Sequence, residues 1–135
     1  MPTQLLGIVV EHQNSKLMMF SPKCKLIENQ TSLDHFQKTY EVCSGLPVPS
    51  NYLENPKNKV FQLSWKGEIF GGFILGNAPT FRTVSVFATL ENQAQLYGRM
   101  ENPESFTEIC CLWIKPAFRG KTLLNTFTWM SMAYA

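Results

Sequence analysis

The chain has 135 residues, 44% hydrophobic and 13% aromatic, with a formal net charge of +2. That length and apolar share suffice for one buried core and exclude a disordered or fibrous chain, so a single domain over residues 1–135 is expected. The charges are few and scattered, which provides no cationic tract for wrapping a polyanion but leaves nucleic acid open as a partner.

The opening segment, MPTQLLGIVVEHQ, has no basic n-region, and no run approaches the ~20 apolar residues that cross a bilayer, so a cytoplasmic chain without a membrane partner is expected. Residues 4–10 read as a strand, and Leu17–Phe20 as a second short strand after the polar turn HQNS. Thr31 or Ser32 can cap a helix in which Leu33, Phe36, Tyr40 and Cys43 fall at helical spacing until Gly45 stops it. Residues 46–58 hold Pro47, Pro49 and Pro56 and read as a loop, because proline denies both a ladder and a helix interior. VFQLSW and EIFGGFIL flank Lys66-Gly67 as the two arms of a β-hairpin, and Gly71-Gly72 in the second arm predict a bulge or a close approach.

Farther along, Arg82–Phe87 (RTVSVF) alternates and reads as a strand, whereas residues 88–100 fit neither period. A polar loop over 101–105 leads into a strongly apolar strand, Thr107–Ile114, and residues 121–135 carry Leu123, Leu124, Phe127, Met130 and Tyr134 on a helical stripe. The fold class expected is therefore α/β in the α+β sense, a mostly antiparallel central sheet flanked by helices. Trp65, Phe73 and Trp113 are expected in the core or on a pocket wall.

The cysteines Cys24, Cys43, Cys110 and Cys111 have no CxxC spacing, and an adjacent pair on a strand is expected to point to opposite faces. That pattern suits neither a zinc site nor a disulfide ladder, so no metal is expected and Cys110 and Cys111 read as core packing. His12 and His35 read as surface positions.

The segment EICCLWIKPAFRGKTLL sets Arg119-Gly120-Lys121 between a strand and a helix start. Cations there oppose the positive end of the helix dipole, unless an anion sits between them and the free N–H groups. Glu108, at the start of the strand, has two readings: a general base for an amine, if burial raises its pKa, or an ordinary strand-end carboxylate.

KVFQLSWKGEIFGGFIL followed by EICCLWIKPAFRGKTLL resembles the GNAT superfamily of acyltransferases, in which a hairpin precedes a strand ending in a V-x-P-x-x-R-G-K-like turn. The resemblance implies an N-acyltransferase that uses acetyl-CoA or another acyl-CoA and passes the acyl group directly to an amine acceptor. On that reading Arg119, Gly120, Lys121 and Thr122 hold the pyrophosphate, the strand edge at Trp113 and Ile114 pairs with the pantetheine amides, and Glu108 is the base. Thr122 and Leu124 stand where the family's pattern has small residues, and the family continues with a strand, a helix and a hairpin, so a chain incomplete at its C-terminus or a reduced relative is expected. The hairpin, the GNAPTFR segment and E-x-x-x-L-W also resemble the phage Mom DNA-modification proteins, and more faintly the acyl-homoserine lactone synthases. The alternatives are thus a Mom-like nucleobase modification protein and a non-catalytic GNAT-derived binding module. Leu124 and the chain's end favour the module, and the basic turn favours the enzyme. An open sheet edge and an apolar last helix would make a homodimer.

Overall fold

The computed structural model describes residues 8–11, 17–20, 22–77, 81–87 and 89–120. Ile8–Glu11 (β1) and Leu17–Phe20 (β2) pair antiparallel as a two-stranded ribbon, as their sequence suggests. The start of the first expected strand and the HQNS turn lie outside the described residues. So do the last expected helix, 121–135, and part of the GNAPTFR segment.

A strand that the sequence pattern does not announce comes next, Lys23–Ile27 (β3). Its KCKLI carries two lysines and buries only Ile27 fully, so the apolar alternation is too weak to register. Lys59–Trp65 (β4), Glu68–Asn77 (β5) and Thr107–Ile114 (β6) complete a four-stranded sheet of order β3-β4-β5-β6, antiparallel at every joint. The hairpin turn forms where expected, with φ of 50° at Lys66 and 78° at Gly67, the pair of positive values that matches the twist of the flanking strands.

Gln30–Ser44 (α1) begins earlier than Thr31 or Ser32 suggests, because Asn29 is the cap: its side-chain oxygen accepts from the Ser32 amide at 2.8 Å. Gly45 ends it as expected, its N–H donating to the Glu41 carbonyl at 2.9 Å. The proline-rich segment folds one helical turn, Ser50–Leu53 (α2), directly after Pro49.

Arg82–Phe87 is a helix (α3), not the strand that its alternation predicts. The reason is tertiary: the Glu108 carboxylate accepts from the backbone amides of Arg82 and Thr83, so groups at the helix start are satisfied from outside the segment. Leu90–Arg99 (α4) resolves the ambiguous stretch as a helix capped by Thr89. Phe81 stacks on Tyr97 with centroids 6.1 Å apart and joins α3 to α4.

Side chains alternate across a strand, so the sheet carries a core on each face. On one face Leu33, Phe36 and Tyr40 of α1 pack with Val48, Tyr52 and Leu53 against Ile27, Val60, Ile74, Cys110, Cys111 and Trp113. The other face holds Phe61, Leu63, Phe70, Phe73, Leu75 and Ile114. Phe73, Ile74 and Leu63 are fully buried, and burying a side chain of that size contributes about 1.5–3 kcal/mol.

Two bulges interrupt the ladders. Leu63 faces Gly71 while Ser64 faces Ile69, which leaves Phe70 as the extra residue of β5. Gly72 faces Trp113 while Ile74 faces Cys110, so Phe73 alone stands opposite Cys111 and Leu112. The expected close approach at the glycine pair is present. A Cβ on Gly72 would lie 2.6 Å from Phe36, 2.7 Å from the Phe61 carbonyl oxygen and 2.8 Å from Trp113 Nε1.

Candidate functional site

The bulge in β6 corrects the expectation for the cysteine pair. Cys111 has φ 52°, a left-handed conformation that costs a non-glycine residue roughly 1–2 kcal/mol. That turn, with the extra residue, breaks the alternation, so Cys110 and Cys111 do not point to opposite faces and both join the α1-side core. They are 7% and 4% exposed, while Leu112 is left 47% exposed.

Around the pair stand polar side chains drawn from four elements. Gly76 of β5 faces Glu108 of β6. A Cβ there would run into the Tyr52 hydroxyl and lie 2.9 Å from Glu108 Cγ, so glycine opens the space through which Tyr52 reaches the strand. The Tyr52 hydroxyl donates to Glu108 Oε1 at 2.8 Å and lies 3.2 Å from Cys110 Sγ. Its single hydrogen goes to the carboxylate, the stronger acceptor, so at the Cys110 contact the thiol is the donor and the phenol oxygen accepts. Glu108 Oε1 also accepts from the Arg82 amide at 2.7 Å, and Oε2 from the Thr83 amide at 3.2 Å. One carboxylate thus ties β6 to α2 and to the start of α3.

Tyr52 is itself held from behind. Asn58, buried, donates from Nδ2 to the Tyr52 carbonyl at 3.0 Å and accepts from the Asn77 amide at 3.1 Å. On the other side of the cysteines the Arg82 guanidinium lies 5.6 Å from the Tyr40 ring centroid and donates from Nη2 to the Pro47 carbonyl at 2.8 Å. Its Nε is buried and makes no hydrogen bond among the described residues.

This environment separates the two thiols. Cys110 is pushed up by the adjoining Cys111 thiol and by burial. Cys111 is pulled down by the adjoining Cys110 thiol, and then by the Arg82 charge and the Tyr40 hydroxyl, against the opposing effects of burial and the Glu108 charge. Burial, followed by the proximity of Cys110 and Glu108, pushes the Tyr52 phenol up.

The site residues read from the sequence do not all converge. Glu108 lies in this cluster, and Trp113 packs on the same face, edge-on to Phe36 at 6.2 Å, with its buried Nε1 making no hydrogen bond among the described residues. Ile114 faces the opposite core. Beyond it the Lys115 amide donates to the Phe70 carbonyl at 2.8 Å, and Pro116–Phe118 form a 3₁₀ turn. Arg119 folds back so that its Nε donates to the Ile114 carbonyl at 3.0 Å, which leaves the two Nη groups at the far end of the fork. Gly120 is exposed, and Lys121 and Thr122 lie outside the described residues. From Glu108 to Ile114 the strand rises roughly 20 Å at ~3.3 Å per residue, so the carboxylate and the basic turn occupy opposite ends of β6. Along that length β6 pairs, among the described residues, with β5 alone.

Tyr40, Tyr52 and Arg82 are the members that sequence reading did not place at a site. Tyr40 counts as one apolar residue of a helical stripe, Tyr52 sits in a proline-rich loop, and Arg82 is hidden by a segment whose alternation suggests a strand. Among the described residues no helix is long and apolar enough to cross a membrane. No family model, no curated protein and no solved structure matches the chain.

Proposed function

We propose that the protein is an acyl-CoA-dependent N-acyltransferase that moves an acyl group from the thioester to an amine acceptor. The observation that carries this reading is β6: an edge strand among the described residues, bulged at Cys111 and Leu112, that runs from a half-buried carboxylate straight into the Arg119-Gly120 turn. Extended ligands bind such edges through main-chain groups, and bulges beside an edge re-aim side chains at sites. The acyl-CoA would lie along the strand. Its pyrophosphate sits at Arg119 and Gly120 with Lys121 and Thr122, its pantetheine arm follows the backbone at Trp113 and Ile114, and its thioester points toward Glu108. The Arg119 bond to the Ile114 carbonyl holds the fork at the strand's end, and its outer nitrogens would meet the phosphate oxygens.

Glu108 takes the proton of the attacking amine. Oε1 already accepts from Tyr52 and from the Arg82 amide, so Oε2, held by one longer bond to the Thr83 amide, is the oxygen that receives it. Attack forms the amide bond, the C–S bond breaks, and the CoA thiolate leaves.

The test is titration calorimetry of the whole chain with CoA and acetyl-CoA at two salt concentrations, followed by chromatographic detection of free CoA over a panel of amines. Binding that weakens with salt and is lost in Arg119→Ala supports the reading, since the contact is charge on phosphate. Absence of heat with every acyl-CoA removes it.

A further inference from the structure

We infer that α3 and α4 form a lid over the start of β6, latched by the Glu108 carboxylate and the Arg82 guanidinium and able to lift while the sheet and α1 stay folded. The inference extends the acyl-transfer reading, in which an amine has to reach Glu108, but it concerns the free chain and is tested without acyl-CoA.

The two helices are held to each other by an aromatic pair and to the rest of the chain by polar bonds. Phe81, just before α3, stacks on Tyr97 of α4, and its amide donates to the Tyr97 hydroxyl at 3.0 Å. α3 packs on β6, where the Arg82 and Thr83 amides donate to Glu108 at 2.7 and 3.2 Å. The Arg82 side chain fastens the same spot to the loop after α1, through the Pro47 carbonyl at 2.8 Å, and lies against the Tyr40 ring. Apolar anchoring is sparse. α4 buries none of its residues, Val86 of α3 and Leu90 and Leu96 of α4 are exposed, and Phe81 is the one buried residue described in the pair and its approach. α1, by contrast, sinks Leu33, Phe36 and Tyr40 into the core. The cost of opening a segment follows the apolar surface it must expose, so α3 and α4 lift more cheaply than α1 leaves the sheet.

The latch is also the candidate base. With α3 seated, both Glu108 oxygens receive amide hydrogens, and Oε1 receives the Tyr52 hydroxyl as well. Lifting α3 frees Oε2 and one position on Oε1, while Tyr52, fixed from behind by Asn58 and outside the lid, keeps the carboxylate oriented. The two released amides lie at a helix start, where water replaces the carboxylate, so opening strands no buried donor.

The test is amide hydrogen exchange of the free chain by NMR in sub-denaturing urea. The Arg82 and Thr83 amides are expected to exchange about ten-fold or more faster than the Tyr40 amide, at a rate that hardly responds to urea, because a local opening exposes little surface. Gly72→Ala, which overpacks the core under α1, is expected to speed Tyr40 about ten-fold or more and leave Thr83 unchanged, since that core stays intact when the lid lifts. Arg82→Gln removes the second latch and is expected to speed the Thr83 amide about ten-fold. Carbodiimide labelling of Glu108 should rise in the same variant by a similar factor, with the exposed Glu68 as internal reference. If a variant fails to fold, the urea dependence of the wild type decides alone. A Thr83 amide that follows Tyr40 in urea and in Gly72→Ala overturns the proposal, and so does an Arg82→Gln chain with Thr83 exchange and Glu108 labelling at wild-type rates. A lid that opens in a chain that binds no CoA would leave this inference standing without the acyl-transfer reading.

Discussion

Gly72→Ala tests the packing that holds α1 on the sheet. The new methyl carbon would meet Phe36 Cε2 at 2.6 Å, the Phe61 carbonyl oxygen at 2.7 Å and Trp113 Nε1 at 2.8 Å, all closer than real Cβ contacts. None of the three yields cheaply. The carbonyl belongs to β4, and the two rings are 1% and 4% exposed and already wedged edge-on. Overpacking of a tight core costs about 1–3 kcal/mol, and a backbone obstacle puts this case in the upper half. Replacing glycine returns about 0.4–1 kcal/mol by narrowing the unfolded ensemble. The net loss is therefore about 2 kcal/mol, or about 8 °C in Tm for a chain of this length. Urea unfolding followed by tryptophan fluorescence, beside calorimetry, reads it as a lower midpoint with an unchanged slope. Gly98→Ala is the matched control: nothing lies within 4 Å of that Cβ and the residue is in α4, so a gain of up to about 1 kcal/mol is expected. A Gly72→Ala midpoint equal to or above wild type would refute the packing account.

Tyr52→Phe keeps the ring and removes a hydrogen bond to a carboxylate, so a loss of about 1.5–3 kcal/mol is expected in urea unfolding, and a change under 0.5 kcal/mol (~0.5 being the scatter of neutral surface changes) would show that Glu108 does not depend on it. Stability is expected to fall on the alkaline side: Cys24 is raised from 9.0 to about 12, so the folded chain holds that proton more tightly than the unfolded one. Its contribution is complete below pH 9.0 and is lost as pH rises toward about 12. A flat thermal midpoint across that window, or one unaltered by Cys24→Ser, counts against this.

The strong periodic elements were legible from the residues alone. α1 shows its apolar stripe and its glycine stop, and the hairpin declares itself through Lys66-Gly67 between alternating arms. Where the reading failed, long-range contacts outweighed local pattern. RTVSVF has the β-branched alternation of a strand, yet Glu108, 26 residues from Arg82, satisfies its first amides and makes it helical. The candidate site was half legible for the same reason: Glu108 and the basic turn stand out as residue types in a segment, but a bulge that moves Cys111 to the side of Cys110 leaves no trace in a one-dimensional alternation. Tyr52 joins the site only because Gly76, on the strand paired with β6, makes room for it.

Position 76 carries a hereditary consequence. A side chain there collides with the phenol of Tyr52 and crowds Glu108, while the phenol without that glycine has nowhere to go. The three residues are therefore a combination rather than three independent choices: a lineage that drifts to alanine at 76 must already have lost the hydroxyl at 52 and shortened the acid at 108. Related chains should accordingly fall into two camps, glycine with tyrosine and acid, or a larger residue with neither, and intermediates between them should be scarce.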